Sequence, residues 1–151
     1  MTATGNGLTD EAFIAAFESG SLGADQFQHA DHVRIGYLYL TRCDFGEALH
    51  RDGLGIRRHA AAHGQPDKYH ETITVAFLAV MNERLAAEDA AAATTEDNWS
   101  AFAAANPDLF DKGLMLRYYT PEELASTRAR QVFLFSRTAA SCGPRRAARP
   151  S

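Results

Sequence analysis

Apolar residues recur at helical spacing along most of the chain, and glycine, proline and acidic residues interrupt them. The clearest stripe repeats every three or four residues and predicts a helix over residues 68–87. Its members are Tyr69, Ile73, Ala76, Phe77, Val80 and Met81. Similar stripes predict a short helix after Thr9 and further helices over residues 26–41, 47–63 and 99–105. The pattern therefore predicts a predominantly helical chain.

Residues that favour helix ends lie at the predicted boundaries. Thr9, Asp25 and Asp67 are predicted to cap the first, second and fourth helices, because their side-chain oxygens can accept a hydrogen bond from the first turn. Gly64 is predicted to end the third helix, since glycine readily adopts the left-handed conformation found there. The sequence Thr120-Pro121-Glu122-Glu123 combines a cap, a proline at the first helical position and a following glutamate, and predicts another helix start.

One segment, Gln131-Val132-Phe133-Leu134-Phe135, has the composition of a strand but lacks a second segment to pair with. We interpret it as an extended C-terminal strap across the helices. The fold class that follows is all-α: a single-domain compact helical bundle over residues 8–136, with flexible termini at residues 1–7 and 137–151. Residues 88–98, rich in alanine, threonine and acidic side chains, are predicted to form a solvated connection.

Composition narrows the class of protein. The 151 residues are 46% hydrophobic and 23% charged, which is ordinary for a globular domain. The net charge of −4 argues against nucleic-acid binding, and the basic cluster over residues 145–149 is interpreted as a disordered tail. No apolar run approaches the roughly 20 residues that cross a membrane, and the polar N-terminus does not resemble a signal peptide. With Cys43 and Cys142 too few for a disulfide framework, we expect a cytoplasmic protein with reduced thiols.

The candidate chemistry lies in a group of histidines. His29 and His32 are three residues apart on the predicted second helix, so they share one face. Gly36 and Tyr39 continue the same stripe, and we expect the glycine to leave room for a ligand and the tyrosine to close the bottom of the pocket. His70, at the start of the fourth helix, is predicted to add a third imidazole.

Three neutral imidazoles are typical of a catalytic metal site, because they leave coordination positions open. The expected cofactor is one divalent ion bound by His29, His32 and His70. Zinc, copper and iron all accept imidazole, so this ligand set does not select among them.

Other polar residues are candidates for the same pocket. Proton transfer is assigned to Tyr39, Tyr69 and Glu71. Substrate binding is assigned to Arg57, Arg117 and Lys68, because cationic side chains bind carboxylates and other anions. Among the remaining histidines, His59 and His63 are four residues apart, a spacing that also allows a pair. We interpret His63, at the end of its helix, as a supporting residue and His50 as exposed.

Several motifs together resemble a group of small, mostly uncharacterised bacterial proteins. They lie at residues 27–32, 55–64, 68–74, 106–111 and 117–122, within a resemblance that covers roughly residues 8–136. The resemblance implies that seven residues belong to one shared pattern, without implying a reaction. These are His29, His32, His63, Lys68, Tyr69, His70 and Thr72.

Three functions stay open at this point. The first is a small helical metalloenzyme that acts on a small-molecule substrate, in a biosynthetic pathway. The second is a metal-free isomerase, lyase or cyclase in which the same histidines act as general acid and base. The third is a non-catalytic ligand-binding or dimerisation module, so a homodimer also stays open. None of the three involves nucleic acid or a membrane.

Overall fold

A computed structural model of the chain describes residues 7–89 and 98–136. This part of the chain forms seven α-helices and contains no strand, which confirms the predicted all-α fold. The helices are α1 (Asp10–Ser19), α2 (His29–Arg42), α3 (Phe45–Ala62), α4 (Glu71–Asp89), α5 (Asn98–Ala105), α6 (Pro121–Ala125) and α7 (Thr127–Gln131). Four short 3-10 turns connect them, at Ala24–Gln26, Pro66–Lys68, Pro107–Phe110 and Leu114–Arg117.

Some predictions fall on residues that these ranges do not cover. They are the flexible termini, apart from Gly7, and most of the solvated connection after α4. Cys142 and the basic C-terminal cluster also lie outside the described residues. In the described residues, no helix has both the length and the apolar character that crossing a membrane requires.

Three of the predicted helix ends are confirmed by their caps. The side chain of Thr9 accepts a hydrogen bond from the Ala12 amide at 3.3 Å, at the start of α1. Thr120 and Glu123 form a reciprocal capping box at the start of α6, with N–H to oxygen distances of 2.9 and 3.0 Å. Gly64 follows α3 with a φ of +71°, the left-handed conformation expected of a glycine there.

Two predicted caps are wrong, and both errors move the start of a site helix. Asp25 lies in the Ala24–Gln26 turn, and α2 begins only at His29, where Asp31 accepts a hydrogen bond from the Gln28 amide at 2.9 Å. Asp67 lies in the Pro66–Lys68 turn, and α4 begins only at Glu71. In both places the chain completes a separate 3-10 turn before the α-helix starts, and that turn uses the residue that was expected to cap the helix.

Helix α2 lies at the centre of the fold and packs against α1, α3 and α4. Seven successive residues of it, from Val33 to Tyr39, are buried, so the helix has no exposed face in this stretch. One of them is the cation Arg34, only 1% exposed, which is paired with Asp10 of α1. A helix buried on all sides needs internal partners for its polar groups, because leaving them unpaired costs free energy.

Two glycines allow helices to approach each other closely. A Cβ at Gly36 of α2 would lie 3.0 Å from Leu78 and 3.2 Å from Met81, both on α4. Gly36 therefore makes room for side chains of the core, which corrects the expectation that it leaves space for a ligand. On α3, a Cβ at Gly55 would overlap the ring of Phe17 on α1. The overlap with Phe17 makes glycine a packing requirement at position 55, whereas at position 36 a methyl group would only crowd the ends of Leu78 and Met81.

The predicted strap follows α7. Gln131 belongs to that helix, and residues 132–136 are neither helix nor strand. The hydroxyl of Thr72 donates to the Val132 carbonyl at 2.8 Å and accepts from the Leu134 amide at 3.1 Å. The Tyr119 hydroxyl donates to the Leu134 carbonyl at 2.6 Å. These side chains take the place of a partner strand, which explains why a strand-like segment stays outside any sheet.

Aromatic contacts join α5 to the middle of the bundle. The ring of Trp99 lies 5.2 Å from that of Tyr37 on α2 and 6.1 Å from that of Phe110, between ring centroids. Phe110 ends the Pro107–Phe110 turn, directly before Asp111 and Lys112. Trp99 therefore connects the central helix with the loop that precedes α6.

The Gly55 contact yields a test of the packing. We expect Gly55→Ala to lower the free energy of unfolding by at least about 1–3 kcal/mol, because the new methyl group forces Phe17 or the helices apart. Gly46→Ala, also on α3, is the matched control, since a Cβ there meets only Asp44 at 3.6 Å. Denaturant unfolding of both variants measures the difference. Equal stability of the two variants would contradict the close α1–α3 approach.

Candidate functional site

A cavity of about 450 Å³ lies between α2, α3, α4 and the loop that precedes α6. All three histidines predicted to share a site, His29, His32 and His70, contribute to its lining. Polar neighbours are Asp52, Lys68, Thr74, Asp111 and Lys112. The remaining wall is apolar: Ile56, Ile73, Phe77, Leu78, Leu114, Met115, Leu116 and Leu124. An apolar cavity with a few convergent polar groups is typical of a small-molecule site.

His32 is a neutral imidazole. Burial, with smaller contributions from His29 and His59, lowers its pKa to about 4, so the ring carries no charge at neutral pH. The ring packs on Phe27, with centroids 4.0 Å apart. Within the described residues, neither ring nitrogen of His32 has a hydrogen-bond partner. Its nitrogens are therefore available to a molecule in the cavity.

Asp52 lies on α3 and is buried, with only 5% of its surface exposed. Its Oδ1 atom is buried without a hydrogen-bond partner in the described part of the chain. Burial raises the pKa of this carboxyl group to about 7. A buried carboxyl group without a partner costs free energy, and such groups are concentrated at functional sites.

His29 is held by the loop that precedes α6. Its Nε2 atom lies 3.0 Å from the Leu109 carbonyl, and since a carbonyl only accepts, Nε2 carries the proton of this bond. The ring also meets Phe77 edge-on, with centroids 5.8 Å apart. In the neutral ring, Nδ1 then remains an acceptor.

His70 has both ring nitrogens in use. Nδ1 accepts a hydrogen bond from the Ile73 amide at 3.2 Å, so it is unprotonated. Nε2 then donates to the Leu124 carbonyl of α6 at 2.8 Å. His70 therefore caps the first turn of α4 and links it to α6. It would have to release one of these bonds to bind a metal ion.

Within residues 7–89 and 98–136, no three His, Cys, Asp or Glu side chains are grouped in a way that could hold one metal ion. The three-histidine metal site stays a prediction. The structure brings His29, His32 and His70 to one cavity. The ring of His70 is held there by hydrogen bonds to two backbone groups.

A salt-bridge network holds the loop that closes the cavity. Arg84 on α4 donates to both carboxylate oxygens of Asp108, at 2.6 and 2.8 Å. Arg117 donates to the same carboxylate at 2.9 Å. Hydrogen bonds from these two arginines, from Arg84 most strongly, lower the pKa of Asp108 to about 2. Arg117 was predicted to bind substrate, but it does not line the cavity, and its guanidinium group instead ties the two turns of this loop together.

Three other predicted site residues lie together, away from the histidines. The Tyr69 hydroxyl donates to Glu71 at 2.8 Å, and Arg57 contacts the same carboxylate at 3.3 Å. The Arg57 guanidinium group also lies over the Tyr69 ring, 4.2 Å from its centroid. Burial and the Glu71 hydrogen bond raise the pKa of Tyr69 to about 12, so this hydroxyl keeps its proton at neutral pH.

Arg57 and Tyr69 line a second cavity, of about 520 Å³, near Pro66 and Arg130. Most of its lining residues are exposed. The charges of Arg57 and Glu71 are already paired with each other. We therefore place the candidate site in the histidine cavity, where buried polar groups face a largely apolar wall.

Tyr39 does not close the bottom of the histidine cavity, which corrects the expected placement. Its hydroxyl donates to Glu18 of α1 at 2.7 Å. Burial and this hydrogen bond raise the pKa of Tyr39. His59 and His63 lie beyond Phe27, with the His59 ring 4.9 Å from Phe27 and 4.4 Å from His63. His59 thus packs on the same Phe27 ring as His32, and neither His59 nor His63 lines the cavity.

Asp52 is not among the site residues that the sequence predicts. The available signal was an aspartate in the middle of a predicted helix. Gly53 and Gly55, which lie next to it in the sequence, indicate that this part of the helix packs closely against its neighbours. Both glycines and Asp52 are buried. An acidic residue on a tightly packed face is a candidate for function, because charged residues are rarely buried without a partner.

Comparison with protein-family models, curated proteins and solved structures finds no match to this chain. The resemblance to the group of bacterial proteins therefore stays a prediction. The function has to be inferred from the cavity itself.

The pKa of Asp52 yields a test by pH. Its value is higher in the folded chain than the 3.8 of an ordinary aspartate, so its contribution to stability is lost as the pH rises from about 4 through 7. The Asp52→Asn substitution removes the titrating group, and with it this pH-dependent loss of stability. We expect the variant to gain stability relative to wild type across that range, by on the order of 4 kcal/mol in total. Urea unfolding at pH 4, 5, 6, 7 and 8 measures it.

The control for this test is Glu83→Gln, which removes an exposed carboxylate of α4. Its stability difference from wild type is expected to stay constant with pH. A constant difference for Asp52→Asn would show that this carboxyl group titrates normally.

The hydrogen bonds of His70 yield a second test. We expect His70→Ala to lower the free energy of unfolding by about 1–3 kcal/mol in buffer containing a metal chelator, because the Leu124 carbonyl and the Ile73 amide lose their partner. His50→Ala, on an accessible part of α3, is expected to change stability by less than about 0.5 kcal/mol. If His70→Ala destabilised the protein only when metal is present, the structural role would be contradicted.

Proposed function

We propose that the chain is a metal-free enzyme that moves a proton within a small, largely apolar molecule, as an isomerase, lyase or cyclase does. The observation that carries this proposal is the buried Asp52 carboxyl group, which has an unpartnered oxygen and lines the same cavity as the neutral, unpartnered His32. Each group would cost stability in a purely structural role. Both are suited to proton transfer.

Asp52 is suited to act first as the base and then as the acid. A catalytic group works best when its pKa lies near the working pH, and that of Asp52 is about 7. In an isomerisation, its carboxylate takes a proton from a carbon next to a carbonyl group. The electrons of that C–H bond form a carbon–carbon double bond, and the carbonyl oxygen becomes an oxyanion. Where the substrate also has a carbon–carbon double bond next to that carbon, Asp52 returns the proton to the far end of this double bond. The oxyanion then re-forms the carbonyl group, and the double bond has moved next to it. Without such a double bond the proton returns to the same carbon, which is the exchange that deuterium detects.

His32 is suited to stabilise the oxyanion. With a pKa of about 4, its neutral ring is a weak base, but one nitrogen carries a proton that it can donate as a hydrogen bond. A neutral imidazole does not lose its proton outright during the reaction, so it can hold the developing charge. The roles of the two groups follow from their pKa values, which differ in opposite directions from the ordinary values.

The other residues of the cavity hold the substrate in position and surround it with a low dielectric constant. Phe77, Leu78 and Met115 contribute apolar wall on α4 and the closing loop. Such a wall excludes water, and this strengthens each electrostatic interaction inside. His29 and His70 are held by backbone carbonyl groups, which keep their rings at fixed orientations.

The metalloenzyme remains a second candidate, favoured by the presence of three imidazoles in one cavity. His29 and His32 are suited to it, because each ring keeps a nitrogen without a partner in the described residues. His70 is less suited, since both of its nitrogens bind backbone groups. The divalent ion would be zinc, copper or iron.

A binding module without turnover is the third candidate. It would use the same apolar cavity, and its ligand would bind to the Asp52→Asn variant as well as to wild type. Ligand binding alone does not require the raised pKa of Asp52, so we rank the binding module below the proton-transfer enzyme.

The test is hydrogen exchange into small ketones. We expect wild type to accelerate deuterium incorporation next to the carbonyl of 2-tetralone or 4-phenyl-2-butanone in D₂O, followed by NMR. Asp52→Asn is expected to reduce the rate by about 100-fold or more, because it removes the base. The wild-type rate should rise with pH around 7, where Asp52 ionises.

Glu83→Gln is the matched control and should exchange at the wild-type rate. Exchange that is equal in wild type and Asp52→Asn, or that never exceeds the buffer rate, would contradict the proposal. Elemental analysis separates the metal candidate. Near-stoichiometric metal in wild type, lost in His29→Ala, His32→Ala and His70→Ala, together with exchange abolished by a chelator, would favour the metalloenzyme.

A further inference from the structure

The chain has only two lysines, Lys68 and Lys112, against thirteen arginines. Both lysines line the histidine cavity. They come from two different loops: Lys68 ends the Pro66–Lys68 turn before α4, and Lys112 lies between the turns Pro107–Phe110 and Leu114–Arg117. Two residues that are 44 positions apart thus bring both lysine ammonium groups of the chain to the same cavity.

The lysines lie at the mouth of the cavity. Both are exposed, as are Asp111 and Leu116 beside them, whereas Asp52 and His70 are buried. The cavity therefore has a charged rim and a deeper end where the proton-transfer groups lie. A molecule that bridges the two regions needs both a charged end and an apolar body.

The two ammonium groups are free to bind a ligand. In the described part of the chain, neither lysine side chain forms an ion pair or a hydrogen bond. Many of the arginines, in contrast, are engaged with carboxylates, as with Arg51 and Glu47 at 2.7 Å or Arg84 and Asp108 at 2.6 Å. Both lysines at the cavity thus lack a partner among the described residues, unlike these arginines.

The third charged group at the rim limits the charge of the ligand. Asp111 accepts a hydrogen bond from the Gly113 amide at 2.9 Å, so its carboxylate is partly used within its own turn. With Lys68, Lys112 and Asp111 together, the formal charge of the rim is +1. This balance suits one singly charged group better than a doubly charged phosphate.

We propose that the substrate is an apolar carboxylic acid whose carboxylate is bound between Lys68 and Lys112. This inference rests on the proposed function for the deeper end of the cavity. The carboxylate lies at the mouth, where water still reaches it, and the apolar body extends past Ile73 and Met115 toward Asp52 and His32. The carbon that loses the proton, with the carbonyl group next to it, then lies away from the carboxylate and at the same end of the cavity as the buried acid.

The test uses octanoate and 4-phenylbutanoate, with the alcohols of the same carbon skeletons as neutral partners. Calorimetric titration should show both carboxylates binding about tenfold tighter than their alcohols at low salt. Lys68→Ala and Lys112→Ala should each weaken carboxylate binding by up to about fivefold, as for exposed ion pairs, and leave alcohol binding unchanged. Reductive methylation with ¹³C-formaldehyde gives each lysine an NMR signal, and octanoate should shift both signals.

Arg128→Ala is the matched control, because Arg128 is exposed, lies outside the cavity and has no side-chain partner within the described residues. It removes the same charge and should leave all affinities unchanged. A second arm uses octyl phosphate, and tighter binding of this dianion than of octanoate would overturn the assignment to carboxylates.

The outcomes separate this inference from the proposed function. Equal binding of octanoate and octanol would overturn the carboxylate assignment and leave ketone exchange by Asp52 unaffected. Lysine-dependent binding of octanoate without any ketone exchange would support the ligand class and contradict the proposed catalysis. If neither octanoate nor octanol binds, the carboxylate assignment is wrong.

Discussion

The burial of α2 on all of its sides from Val33 to Tyr39 is the constraint on which the rest of the structure depends. A helix that packs against three others without an exposed face must satisfy every polar group from within the protein. Arg34 meets Asp10, and Tyr39 meets Glu18, so two carboxylates of α1 serve the central helix. His32 is different, because its ring nitrogens face a cavity where no protein group meets them in the described residues. The cavity is therefore a place where a polar side chain of α2 is open to a molecule from outside the protein.

Burial also determines the protonation states of the two titratable groups His32 and Asp52 in the cavity. It lowers the pKa of His32 and raises that of Asp52, so between about pH 4 and 6.5 both groups are neutral in the folded chain. In the unfolded chain both would be charged over this range. On unfolding, one group then gains a proton while the other loses one, and their effects on stability oppose each other. A neutral acid and a neutral base that line one largely apolar cavity are an arrangement that folding can maintain over this pH range.

Sequence patterns predicted the helices well because helical periodicity and capping are local properties. The start of α6 at Thr120 and the end of α3 at Gly64 follow from neighbours within a few residues. The grouping of His29, His32 and His70 in one cavity was also predictable, from spacing on one helix and position at the start of another. Local patterns do not predict which side chains from distant segments come into contact in the fold. Asp52 is buried by residues distant in sequence, and Arg117 is engaged by Asp108, so the role of each depends on packing that no single segment specifies.

Trp99 has a consequence for how the closing loop can be observed. It is the only tryptophan of the chain, and its ring contacts both Tyr37 of the central helix and Phe110, two residues before Lys112. Indole emission depends on the polarity of its surroundings, and in this chain the signal comes from a single site beside the cavity loop. Fluorescence of the unmodified protein thus reports movement of Phe110, without an added label. The residue that packs α5 onto the bundle also serves as an intrinsic optical probe of the cavity entrance.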